Sequence, residues 1–100
     1  MKELEKVMAV QRMQNHIENN LNRNITLYEL SQCSNYSPWY SAKLFKEYIG
    51  KGPFEYIRLM RLTKSALELR DNDKRVVDVA LDFVFDSHEG FTRAFKKEFG

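Results

Sequence analysis

Two stretches of this chain, SPWYSAKLFKEYIG at 37–50 and SHEGFTRAFKKEFG at 87–100, align without a gap at an offset of fifty residues. Ser37 matches Ser87, Lys43 matches Arg93, Phe45 matches Phe95, Lys46 matches Lys96 and Gly50 matches Gly100. The segments ahead of them correspond at an offset of forty-nine, with Leu30, Ser31, Asn35 and Tyr36 against Val79, Ala80, Val84 and Phe85. A repeat of this kind means that one supersecondary unit is used twice, which rules out most other folds for a chain of this size.

The unit reads as helix, turn, helix. No segment alternates for long at period two, and Pro38 and Pro53 both stand where a helix begins, so the chain is all-α. The apolar stripe Val7, Met8, Val10, Met13, Ile17 and Leu21 predicts a first helix from about Leu4 to Leu21, ended by NNLNRN. Thr26 caps a short second helix, with Glu29 as its capping-box partner and Leu27, Leu30 and Cys33 facing inward. Asn35 suits the turn because asparagine tolerates a left-handed backbone. Ser37 and Pro38 start a third helix. Gly50 and Gly52 then break the chain, and Pro53 starts a long helix to about Arg70 with Phe54, Ile57, Met60, Leu62, Ala66 and Leu69 on its apolar side. Two further helices are expected at 75–83 and 87–99.

Steep crossing of two helices over a short turn needs a small residue in the first helix, an adaptable turn residue four positions later, and an apolar clamp. The first copy supplies Ser31, Asn35 and the clamp of Leu30, Tyr36 and Leu44; the second supplies Ala80, Val84, and Val79, Phe83, Phe85, Phe91 and Ala94. Val84 departs from the pattern, since a β-branched side chain resists positive φ. The second turn is one residue longer, which offers another path.

At about 100° per residue, Ser41, Leu44, Phe45 and Tyr48 share one face of the third helix. Trp39, Lys43 and Lys46 point the other way, with Ala42 at the margin. An outward indole beside two ammonium groups is expected to meet either a polyanion or a neighbouring helix.

These residues carry a family resemblance. The run ITLYELSQCSNYSPWYSAKLFKEYIGKGPFEYIRLMRL, followed by VVDVALDFVFDSHEGFTRAFKKEFG, resembles the DNA-binding domain of AraC/XylS transcription regulators over about residues 10–100. The resemblance implies two homeodomain-like helix-turn-helix subdomains, 1–50 and 75–100, joined by a central helix at 53–71. Its recognition helices are expected in successive major grooves of double-stranded DNA. A helix of some seventeen residues reaches about 25 Å against a groove recurrence of about 34 Å.

Carried over by position, the base-reading residues are Trp39, Ala42 and Lys43 in the first unit and His88, Glu89, Thr92 and Arg93 in the second. Trp39 would pack on sugar and base edges, Lys43 and Arg93 would donate to guanine, and Ala42 can make only an apolar contact. Ser37, Lys46, Ser87, Lys96 and Lys97 are assigned to phosphates, helped by the helix N-termini. RNA polymerase is an implied further partner, and one monomer is expected per site. Ser41 stands where the family usually carries a large apolar residue, which predicts a looser first unit. With Met1 read as a true start, the resemblance implies a DNA-binding domain placed first and truncated before the family tail and a C-terminal effector domain.

Composition narrows the alternatives. The chain is one domain of 43% apolar and 30% charged residues with net charge +2, so any basic footprint must be local. No run of eighteen apolar residues occurs and MKELEKVMAV has no cleavage pattern, which predicts a cytoplasmic protein away from membranes. Cys33, the single cysteine, reads as a small buried hydrophobe. Asp86, Ser87 and His88 are contiguous and cannot align as a hydrolytic triad, and His16 and His88 are too distant in sequence to suggest a metal. No enzyme and no cofactor is expected. Glu89 also fits a capping box with Asp86, and Arg58, Arg61 and Lys64 read as a solvated face, with Arg61 a candidate brace for DNA. A second function stays open: a helical protein-interaction module with Trp39 as its hot spot, favoured by Asp78, Asp82, Asp86 and Glu89 near the second reading edge. A reconciling expectation is strong reading by the first unit and weak binding by the second.

Overall fold

The computed structural model describes residues 2–71 and 88–99, with side chains described through residue 70 and again from residue 93. Five helices are present among them: α1 (Lys2–Glu18), α2 (Leu27–Ser34), α3 (Pro38–Ile49), α4 (Pro53–Asp71) and α5 (His88–Phe99). The expected helix at 75–83, the second turn with Ala80 and Val84, and Ser87 lie outside the described residues.

Local chemistry accounts for most boundaries. Thr26 Oγ1 accepts from Glu29 N at 3.2 Å while Glu29 Oε1 accepts from Thr26 N at 3.2 Å, the reciprocal capping box that starts α2. Asn35 ends it at φ 68°, where its N–H donates to Ser31 O at 3.0 Å. Ser37 Oγ accepts from Tyr40 N to start α3 behind Pro38, and Gly50 ends α3 at φ 88° by donating to Lys46 O. A left-handed C-cap costs glycine nothing and asparagine little.

The first helix differs from expectation at both ends and on one face. It stops at Glu18, because Asn20 turns back: its N–H donates to Ile17 O at 3.1 Å and its Nδ2 to His16 O at 2.7 Å. Leu21 still reaches the core, from the loop rather than the helix. Val7 and Met8 are 46% and 52% exposed, while Ala9 is fully buried. Turning about 100° per residue from Val10, Met8 lies on the far side and Val7 at the margin, whereas Ala9, Met13 and Ile17 share the inward sector. Small size had concealed Ala9.

A single cluster joins Ala9, Val10, Met13 and Ile17 of α1, Leu21 and Ile25, Leu30 of α2, Leu44 and Phe45 of α3, and Ile57 of α4. Phe45 meets Tyr56 edge-on, ring centroids 5.3 Å apart. A second cluster forms where Leu62 of α4 meets Ala94 of α5, flanked by Leu69 and Phe95. The 19 residues of α4 thus contribute to both, Ile57 to the first and Leu62 to the second, over a length of about 28 Å.

On α4, Phe54 is 51% exposed and does not face the core as its apolarity suggested. Ser65 is fully buried instead, its hydroxyl donating to Arg61 O at 2.6 Å. That internal bond lets a serine sit where packing requires a small side chain. Arg61 is not part of a solvated face. Its Nε donates to Leu21 O at 3.1 Å and its Nη2 to Arg23 O at 2.7 Å, which ties the loop after α1 to α4 and occupies the fork that was a candidate brace for DNA. Burial pulls its pKa down.

Candidate nucleic-acid interface

The outer face of α3 is built by exclusion. Leu44 and Phe45 are drawn fully inside with Ser41, and Tyr48 lies at the border with its hydroxyl donating to Glu3 Oε2 at 2.6 Å. Trp39 is left 70% exposed, Lys43 and Lys46 are exposed, and Ala42 is half-buried at the edge. Lys43 Nζ rests over the indole, 5.3 Å from the ring centroid, a cation–π contact between residues four apart on the helix. Such a contact at an exposed site stabilises by about 0.5–1 kcal/mol, enough to orient the ammonium and too little to hold it against a better acceptor. An aromatic plane and a mobile charge are thereby presented together.

The N-terminus of α3 adjoins this face. Ser37 Oγ caps Tyr40 N at 3.1 Å, and Pro38 has no N–H to leave orphaned. Partial positive charge collects at such a terminus and favours an anion. Ser37 is an exposed residue beside it.

Two arginines not anticipated as structural support what lies behind. Arg12 of α1 donates from Nε to Cys33 O at 2.7 Å and from Nη2 to Ser34 O at 3.2 Å, filling carbonyls that the end of α2 leaves without helical partners. Arg23 grips Glu29 through two hydrogen bonds, at 3.0 and 2.8 Å, and His16 Nε2 lies 2.8 Å from the same carboxylate. The Arg23 guanidinium first, and His16 second, hold the Glu29 carboxyl down at about 2. Glu29 was legible as a capping residue; its long-range partners were not, since nothing local in the sequence announces a contact across the loop.

The turn itself carries a buried polar cluster. Ser34 and Ser41, both buried, place their hydroxyl oxygens 2.7 Å apart. Ser34 Oγ also accepts from Tyr36 N at 3.0 Å and donates to Ser31 O at 3.2 Å. The small Ser41 side chain thus has a buried hydrogen-bond partner across the turn. Cys33 is half-buried rather than enclosed, and burial pushes its thiol up.

On α5, Arg93, Lys96 and Lys97 are exposed while Ala94 is buried against Leu62. Phe95 and Phe99 lean together at 4.9 Å. The backbone of 88–92 is helical; the side chains of His88, Glu89 and Thr92 lie outside the described residues. Among the described residues no cluster of metal-ligating side chains occurs, and no helix is long and apolar enough to cross a membrane.

Comparison with known proteins agrees with this geometry. A family model described as "Helix-turn-helix domain" matches residues 30–100. The chain is 42% identical over 80 residues to the transposon Tn10 TetD protein of Escherichia coli, covering 80% of this chain and 58% of that protein. It is 40% identical over 83 residues to the right origin-binding protein of Escherichia coli strain K12, covering 83% of this chain and 29% of that one. It thus spans less than two thirds of either relative. Among solved structures, that of a probable AraC family transcriptional regulator from Rhodopseudomonas palustris CGA009 superposes with TM-score 0.82 at 28% identity, over 92% of this chain and 87% of the other.

Proposed function

We propose, because this chain belongs to the AraC-type helix-turn-helix family, that it is the DNA-binding part of a transcription regulator and reads duplex DNA with α3 and α5 in successive major grooves. The observation that carries this reading is the pair Trp39 and Lys43, exposed together on the outer face of α3 with the ammonium over the indole. Trp39, Ala42 and Lys43 read bases from α3; His88, Glu89, Thr92 and Arg93 do so from α5. Ser37, Lys46, Ser87, Lys96 and Lys97 hold phosphates. In this reading two subdomains, 1–50 and 75–100, are joined by the 53–71 helix, a cytoplasmic monomer occupies one site, and RNA polymerase is a further partner.

Selection of bound sites from random duplexes, followed by hydroxyl-radical footprinting, tests the reading. One monomer should protect two blocks about one helical turn apart, roughly 10 base pairs. A single block would remove α5 from the groove. Binding should also weaken steeply with salt, with a slope of about −0.9 per neutralised phosphate, and Lys46→Ala should lower that slope by about one unit. A protein hot spot built on Trp39 would show neither behaviour.

A further inference from the structure

We infer that the buried hydroxyl pair of Ser34 and Ser41 is a positioning device for the first recognition helix, fixing where α3 lies along α2 and thereby which bases Trp39 and Lys43 meet. This rests on the DNA-reading proposal above and deepens it.

The argument starts from proton counting. The two hydroxyls make four contacts: Ser31 O at 3.2 Å and Tyr36 N at 3.0 Å from Ser34 Oγ, the two hydroxyl oxygens 2.7 Å apart, and Tyr36 O at 3.5 Å from Ser41 Oγ. The shorter distances are all satisfied when Ser41 donates to Ser34, Ser34 donates to Ser31 O, and Tyr36 N–H donates to Ser34. Ser34 Oγ then accepts twice and donates once, which is its full capacity. The chain of bonds runs from α3 through α2 and includes the turn between them.

A directional bond does what hydrocarbon cannot. Leu30, Leu44 and Phe45 surround the same crossing, and apolar surfaces tolerate sliding because dispersion depends weakly on direction. Two buried hydroxyls do not, since a slip breaks the 2.7 Å bond and leaves the buried Ser41 hydroxyl with only the carbonyl of Tyr36, 3.5 Å away. Arg12 holds the fixed side by gripping the carbonyls of Cys33 and Ser34 from α1. The aligned repeat sharpens the point: at the corresponding positions the second copy carries Phe83 and Phe91, so the hydroxyl pair is peculiar to the first unit.

Ser41→Ala is the informative variant. It removes the donor to Ser34 yet leaves Ser34 with Tyr36 N–H and Ser31 O, so no buried group is orphaned and the fold should persist. The readout is the ratio of affinities for a selected duplex and a random duplex, compared with wild type at the same salt. We expect that ratio to fall about five- to tenfold, at the low end of what a lost base contact costs, while affinity for random duplex stays within about twofold. Ser41→Cys, close in volume and a weaker donor, should fall between. An unchanged ratio in Ser41→Ala, or equal losses on both duplexes, would overturn the inference. So would loss of the helical signal in both variants, since the pair would then serve stability. Wild-type protein that binds selected and random duplexes equally would instead sink the DNA-reading proposal, and this inference with it.

Discussion

Among the described residues, α3 and α5 are surrounded by different chemistry. Around α3 the interior holds Leu44 and Phe45 together with paired hydroxyls, and the helix is bounded by a serine cap at one end and a left-handed glycine at the other. Around α5, Ala94 meets Leu62 with Phe95 and Leu69 beside them, a hydrocarbon contact on one side of α4. Sequence repeats the difference, placing Phe83 and Phe91 where the first copy has Ser34 and Ser41. If α3 and α5 both read DNA, as proposed, the direction-dependent bond beneath α3 bears on how sharply the first half discriminates.

The largest effect should come from the packing that both halves share. Phe45→Ala empties a fully buried site against Tyr56 and should cost about 3–5 kcal/mol, against about 2–5 kcal/mol for Leu62→Ala in the second cluster. Thermal unfolding of both, followed by circular dichroism, breaks the comparison if either is without consequence. Next, Lys43→Ala and Arg93→Ala should each lose about 1–3 kcal/mol of discrimination at one base position, the two positions lying in different protected blocks. Effects at the same position, or equal losses on all sequences, would remove the assignment of one helix to each groove.

A smaller effect is confined to the first half and to acid. The Glu29 carboxyl, held by Arg23 and His16 at about 2 instead of its ordinary 4.5, favours the folded state in full above about pH 4.5. That contribution is lost as pH falls toward 2. Chemical denaturation at stepped pH should show the decline in wild type and a shallower one in Glu29→Gln, which cannot titrate. Identical profiles would leave the cluster without a role in stability.

What could be read directly from the sequence was what local chemistry decides. Thr26 with Glu29, Asn35, Ser37 with Pro38, and Gly50 each act within four residues, and each stands in its expected role. The outward placement of Trp39 was legible because helical periodicity alone separates it from Leu44 and Phe45. Periodicity misled where residue type was weighed above angle: Met8 and Phe54 are apolar and exposed, Ala9 and Ser65 are small and buried. Groups that pair across long stretches of chain were hidden. Arg12 with the end of α2, and Arg61 with the loop at Leu21 and Arg23, depend on a fold that must exist before the partners meet. In the sequence Ser41 stands out only by its size, and its bond to Ser34, seven residues away across the turn, appears only in the fold.

Trp39 is the single tryptophan of the chain, so its fluorescence reports on the reading face with no other indole contributing. Free protein should emit as a solvent-exposed indole and be quenched freely by acrylamide, and a stoichiometric amount of selected duplex should shift the emission and shield it from quencher. Emission from an enclosed indole in the free protein, or full acrylamide access in the saturated complex, would contradict the placement of Trp39 against DNA.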